Sequence, residues 1–107
     1  MRRSTYLGAA LAYMALIYWV SDRPGSAVGI PAPWDKLAHA LAYAGLGWLL
    51  GRGTGRAGWA WGIAAAYGVL DELHQARVPG READLWDGVA DALGAGLGVW
   101  WARPRRG

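Results

Sequence analysis

The sequence predicts an all-α membrane protein, a bundle of four transmembrane helices. Three observations support this fold class: four long uncharged segments, an uneven distribution of basic residues between them, and tryptophans near the segment ends. The chain has 107 residues, of which 54% are hydrophobic and 17 are glycine. That length suits one domain, so we expect a single membrane domain over residues 1–107.

Each uncharged segment is about as long as a membrane span. The segments cover residues 4–21, 37–51, 57–70 and 89–102, the last interrupted by Asp91. A transmembrane helix needs roughly 17–25 largely apolar residues. A soluble four-helix bundle is the alternative, but each of its helices would carry a polar face, and the first three segments show none over most of their length. With their polar ends included, the predicted spans are residues 4–21, 36–51, 57–75 and 84–102.

Glycine and proline separate the segments. The stretch SDRPGSAVGIPAPW (21–34) predicts irregular structure, GRGTGR (51–56) a short turn, and RVPGREAD (77–84) a Pro-Gly turn. Asp35 and Asp84 lie where N-cap residues of the following helices belong. Small residues recur four apart, which permits close helix packing in lipid. These pairs are Gly47/Gly51, Gly58/Gly62 and Gly94/Gly98.

The basic residues and the tryptophans indicate one orientation. The N terminus, the loop at 51–56 and the C-terminal tail carry seven arginines and no acid, whereas the opposite side carries four basic residues and all eight carboxylates. Basic residues are enriched on the cytoplasmic side of membrane proteins, and tryptophan at both interfaces. We therefore predict a multi-pass protein of the cell membrane with both termini in the cytoplasm.

Composition also excludes several classes of function. The chain has no cysteine, so it has no disulfide, zinc-thiolate site or thiol nucleophile. The net charge of +3 comes from basic residues in small separate groups, not from a basic groove interleaved with aromatics, so we predict no nucleic-acid partner. We predict no cofactor.

Polar residues follow one stripe on each of three predicted helices. The stripes are Lys36, His39 and Tyr43; Tyr67, Asp71, His74 and Gln75; and Asp84, Asp87 and Asp91. Residues three and four apart share a helix face, and charges facing lipid cost several kcal/mol, on the order of 3 or more. The stripes should therefore converge in one polar pocket that opens outward. This explains why residues 67–91 hold six of the eight carboxylates.

Other roles stay open for these residues. Asp35 and Asp84 can be N-caps, Tyr43 and Tyr67 can be packed aromatics, and the aspartates can be structural partners of Lys36 or Arg81. His39 and His74 offer metal ligands together with the aspartates. Since no tight metal-binding spacing such as HExxH is present, we predict no metal.

Two stretches resemble the VanZ-like family of small membrane proteins: DKLAHALAYAGLGWLL (35–50) and YGVLDELHQARVPGREADLWDGVADALGAGLG (67–98). The family pattern has a D-K-x-x-H-x-x-x-Y start, a D-E-x-x-Q helix end, a P-x-R turn and a D-x-x-D-x-x-x-N-x-x-G helix. Matching residues are Lys36, His39, Tyr43, Asp71, Glu72, Gln75, Pro79, Arg81, Asp84, Asp87 and Gly94. Asp91 stands where the family usually has asparagine, Arg77 stands where an apolar or aromatic residue is usual, and the first span shares only its hydrophobicity. The resemblance implies a cell-envelope protein, because the family is named for a protein that gives low-level resistance to the glycopeptide antibiotic teicoplanin.

Two functions follow as hypotheses. In the first, the pocket binds a lipid or a lipid-linked envelope precursor through its head group. Its ligand-binding residues are Lys36, His39, Tyr43, Asp71, Glu72, Gln75, Arg81, Asp84, Asp87 and Asp91. In the second, the chain is a small intramembrane hydrolase or transferase with Asp71 or Glu72 as general base and His39 or His74 as proton shuttle. Transport is weaker, because the inner halves of the spans lack polar residues. The sequence leaves a homo-oligomer open.

Overall fold

The computed structural model of the chain describes residues 2–21, 34–77 and 85–103. These residues form four α-helices: α1 (Arg3–Ser21), α2 (Trp34–Thr54), α3 (Ala57–Gln75) and α4 (Leu85–Ala102). The predicted all-α class with four helices is confirmed. Within the described ranges, no helix combines the length and the apolar character expected of one that crosses a membrane.

Helices α2 and α4 form the closest packing in the structure, and α2 also contacts α1 and α3. Glycine makes this approach feasible. A Cβ atom at Gly94 or Gly98 would overlap the carbonyl oxygen of Ala40 or Ala44, respectively. Since backbone atoms cannot rotate aside, only a residue without a side chain fits at these two positions.

Of the three glycine pairs predicted to pack against a neighbouring helix, two do so. A Cβ atom at Gly47 would overlap the backbone of Ala95, and one at Gly51 would press on Ala102. The packing role of the pairs on α2 and α4 is therefore confirmed. For Gly58 and Gly62 the prediction is wrong within the described part of the chain: both are exposed, and nothing lies within 4 Å of where their Cβ atoms would be.

The turn between α2 and α3 depends on one left-handed residue. Gly55 has φ of 69°, and its N–H donates to the Gly51 carbonyl at 3.0 Å. Glycine adopts this conformation without steric cost, which makes it the usual residue after a helix end. The Thr54 hydroxyl donates to the Leu50 carbonyl at 2.7 Å and accepts from the Arg56 N–H at 3.2 Å, which fixes the end of α2.

Three aromatic side chains tie neighbouring helices to one another. The Tyr13 hydroxyl on α1 donates to the Ala42 carbonyl of α2 at 2.7 Å. The Tyr67 hydroxyl on α3 donates to the Met14 carbonyl of α1, and the Trp61 Nε1–H on α3 donates to the Ala92 carbonyl of α4 at 3.0 Å. The interior they surround is built mainly from small residues. It contains Ala10, Tyr43, Leu46, Leu50, Ala60, Ala64, Ala95 and Val99.

The helices expose many large apolar side chains and bury three acids. Seven of the eight tryptophans are between 46% and 67% exposed, and leucines of all four helices are exposed with them. By contrast, the carboxylates of Asp71, Asp87 and Asp91 are buried. Large exposed apolar patches are typical of surfaces that bind another protein or a membrane.

Candidate functional site

Five polar side chains from three helices meet in the interior. We call them the acid–histidine cluster: His39 and Tyr43 from α2, Asp71 from α3, and Asp87 and Asp91 from α4. His39 and Tyr43 are four residues apart, as are Asp87 and Asp91, so each pair lies one turn apart on a single face. Four of the five are buried, and His39 is half-buried. The structure thus brings together five residues of the three predicted stripes.

His39 lies between two carboxylates of α4. Its Nδ1 is 2.8 Å from Asp91 Oδ1, a hydrogen bond, and its Nε2 is 4.0 Å from Asp87 Oδ2. One imidazole ring thus bridges two successive turns of the neighbouring helix. This geometry is a consequence of the close α2–α4 packing, which brings a ring on one helix within reach of carboxylates on the other.

Asp71 reaches the cluster from α3. The Tyr43 hydroxyl donates to Asp71 Oδ2 at 3.2 Å in a buried hydrogen bond. Tyr43 itself is 1% exposed, so its ring also fills the core beneath the cluster. The sequence left open whether Tyr43 is a packed aromatic or a polar residue of the pocket. The structure shows that it is both.

Gly68 makes room for Asp91 beside α3. A Cβ atom at Gly68 would lie 3.1 Å from Asp91 Cβ, 3.4 Å from Asp91 Oδ2 and 3.4 Å from the Tyr43 ring. Sequence reasoning missed this residue. A signal was present, because Gly68 is three residues before Asp71 and so shares its helix face.

Asp91 is the most deeply buried acid. It is 1% exposed. Its Oδ1 accepts a hydrogen bond from His39 Nδ1, whereas its Oδ2 has no hydrogen-bond partner among the residues that the structure describes. Buried polar atoms are almost always paired with protein, water or an ion. An unpaired carboxylate oxygen here marks a place for a donor or a cation.

The electrostatic character of the cluster is strongly acidic. Three carboxylates face one imidazole and one phenol, and like charges this close disfavour one another. A carboxylate is an acceptor only, with room for several hydrogen bonds. The cluster can therefore accept protons, hydrogen bonds from hydroxyls or amines, or a cation.

The remaining residues predicted for the site are not described, lie beside the cluster, or face another helix. Arg81 and Asp84 lie outside the described residues, and the side chains of Lys36 and Gln75 are not described either. Glu72 is half-buried on α3, next to Asp71. Tyr67 and His74 turn instead to α1, where His74 stacks on the Tyr18 ring at 4.7 Å.

A separate groove lies between α2 and α4, away from the cluster. It is open and apolar, and it is lined by Ala44, Trp48, Leu97, Gly98 and Trp101. None of its lining residues belongs to the acid–histidine cluster.

Fold and site together define a class of protein: a four-helix all-α domain with an apolar exterior and an acid–histidine cluster inside. The chain belongs to the VanZ/LLP1 family, whose model matches residues 9–104. This finding confirms the family that the two stretches resemble. No curated protein and no solved structure matches the chain.

Proposed function

We propose that the chain is an integral membrane protein whose outward-facing polar pocket binds the head group of a lipid or a lipid-linked envelope precursor. The observation that carries this proposal is the enclosure of the acid–histidine cluster by helices whose outer surfaces are apolar. Intramembrane acids are costly facing lipid and lie toward the bundle interior where they serve a function. The exposed tryptophans and leucines are suited to contact with lipid.

The chemistry of the cluster favours a head group with hydrogen-bond donors. Asp71, Asp87 and Asp91 accept from hydroxyls or amines. Lys36 and Arg81, near the predicted outer ends, would pair with a phosphate or carboxylate of the same ligand. Such mixed recognition suits a lipid-linked precursor of the cell envelope. A link to glycopeptide (teicoplanin) resistance belongs to the same proposal, because the family resemblance implies it.

Native mass spectrometry of the chain in a mild detergent tests the proposal. We expect the wild-type chain to retain an anionic lipid, and Lys36→Ala and Arg81→Ala to lose it, because the cationic partners of the head group are removed. Arg77→Ala is the matched control: Arg77 is exposed after α3, so this variant should keep the lipid. A wild-type chain that carries no lipid would contradict the proposal.

A second candidate function is a small intramembrane hydrolase or transferase that acts on such a lipid. It is favoured by the 2.8 Å pairing of His39 with Asp91 and by the proximity of Asp71, since paired acid and imidazole groups suit general acid–base catalysis. Incubation with labelled envelope lipids distinguishes the two functions. Turnover that is lost in Asp71→Asn would indicate an enzyme, and intact lipid after incubation would indicate a binding protein.

A further inference from the structure

We propose that His39, Asp71 and Asp91 form a binding site for one divalent first-row metal ion. The sequence predicts no metal, because no compact ligand motif is present, and the three residues are instead brought together from three helices. The proposal concerns a ligand other than the lipid head group and does not depend on the function proposed above.

The donor atoms already have nearly the spacing that an ion requires. His39, Asp71 and Asp91 each offer one ligand atom, and all three atoms lie within 4.8 Å of one another. In octahedral coordination, ligands about 2.1 Å from the metal are roughly 3 Å apart when adjacent and about 4.2 Å apart when opposite. The 2.8 Å separation of His39 Nδ1 and Asp91 Oδ1 is close to that of an adjacent pair, and the ligand atom of Asp71 lies within 4.8 Å of the other two.

The second observation is the unpaired oxygen of Asp91. This carboxylate is 1% exposed, and its Oδ2 has no hydrogen-bond partner among the described residues. Oδ2 faces Gly68 of α3, which is three residues before Asp71 on the same helix face. A cation bound by both oxygens of the Asp91 carboxylate would pair Oδ2 as well as Oδ1 and would balance the excess of carboxylates over imidazole.

The neighbours of the three ligands provide the outer support that metal sites need. A histidine bound to metal through one nitrogen usually donates its other N–H to a carboxylate. With a metal on His39 Nδ1, the Nε2–H faces Asp87 Oδ2, which lies 4.0 Å away. Asp71 is oriented in the same way by the Tyr43 hydroxyl at 3.2 Å. Tyr43 is therefore a positioning residue for the site, and Asp87 places a carboxylate near the far side of the imidazole ring without a hydrogen bond to it.

The donor set selects the class of ion. Carboxylates suit Mn²⁺ and other hard cations, and imidazole suits Zn²⁺ and other late first-row ions. One imidazole with two carboxylates fits Mn²⁺ or Zn²⁺ better than Ca²⁺, which prefers six to eight oxygen ligands. Three protein ligands also leave coordination positions for water or a ligand, as in catalytic metal sites.

Metal titration of the full chain tests this site. The chain is purified in detergent without a polyhistidine tag, treated with EDTA, and titrated with Mn²⁺ by electron paramagnetic resonance and with Zn²⁺ by calorimetry. We expect one ion per chain in the wild type. His39→Gln, Asp71→Asn and Asp91→Asn should each lower the affinity at least tenfold, because each removes a ligand or its charge.

His74→Gln is the matched control, since His74 is the chain's other histidine and stacks on Tyr18 outside the cluster. It should bind as tightly as the wild type. Circular dichroism checks that each variant is folded, and a metal-dependent rise in unfolding temperature, present in the wild type and His74→Gln alone, gives a second readout. Failure of the wild type to bind either ion, or equal losses in His74→Gln and His39→Gln, would overturn the proposal.

Discussion

The position of the Asp91 side chain depends on Gly68, a residue without a side chain of its own. Gly68 on α3 leaves the space that the Asp91 carboxylate and the edge of the Tyr43 ring occupy. A methyl group at position 68 would lie 3.1 Å from Asp91 Cβ, so we expect Asp91, which is 2.8 Å from His39, to shift. The geometry of the acid–histidine cluster therefore depends on a residue that takes no part in its chemistry.

The substitution Gly68→Ala tests this dependence. Its methyl group would crowd Asp91 and Tyr43, and overpacking of this kind costs about 1–3 kcal/mol. Gly62→Ala is the control on the same helix. Because Gly62 has open space around it, alanine there should stabilise the helix by roughly 0.4–1 kcal/mol. Thermal unfolding in detergent measures both effects, and equal stability of the two variants would contradict the packing account.

Helical spacing predicted most of the cluster but misplaced part of one stripe. At roughly 100° per residue, Tyr67 and His74 lie about 40° and 60° to one side of Asp71, and Gly68 lies about 60° to the other. Tyr67 and His74 consequently face α1, while Gly68 and Asp71 face α2 and α4. Sequence spacing places these residues on one broad face of α3. Which neighbouring helix each residue contacts depends on how the helices pack.

At the scale of helices, the α2–α4 interface is the element that builds the site. Gly94 and Gly98 sit against the backbone of Ala40 and Ala44, so the two helix axes approach closely. That approach brings His39 of α2 within reach of Asp87 and Asp91 of α4. The sequence indicated that glycine pairs would pack. It did not identify which pairs, because Gly58/Gly62 has the same spacing on an exposed face.

Gly98→Ala should separate α2 from α4. Its methyl group would meet the Ala44 backbone, which has no rotamer by which to withdraw, so we expect destabilisation at or above the upper end of about 1–3 kcal/mol. Gly88→Ala on the same helix has no neighbour within 4 Å and should be neutral or slightly stabilising. Unfolding curves of the two variants that coincide would show that the interface tolerates a side chain.

At the scale of the described molecule, buried acids and exposed large apolar side chains occur together. Asp71, Asp87 and Asp91 are buried, whereas seven of the eight tryptophans are exposed. Composition predicted the apolar segments, and the uneven distribution of arginines predicted an orientation. The mutual arrangement of the helices was not predictable, because uniformly apolar segments show no periodic pattern from which a buried face can be read.

Single cysteines in this cysteine-free chain test the proposed membrane orientation. Ala57 and Ala76 are exposed residues near opposite ends of α3. We expect Ala76→Cys to react with a membrane-impermeant maleimide in intact cells, and Ala57→Cys to react only after the cells are permeabilised. Equal labelling of both variants in intact cells would mean that no bilayer separates the two positions.

The tyrosine bonds that hold α1 have a consequence for how that helix tolerates change. Tyr67 donates to the Met14 carbonyl, and Tyr13 donates to the Ala42 carbonyl. A main-chain acceptor is supplied by whichever amino acid stands there, so replacing the side chain at position 14 or 42 leaves the tether intact. The hydrogen bonds between α1 and its neighbours therefore constrain the donor tyrosines, and place no demand on which side chains stand at positions 14 and 42.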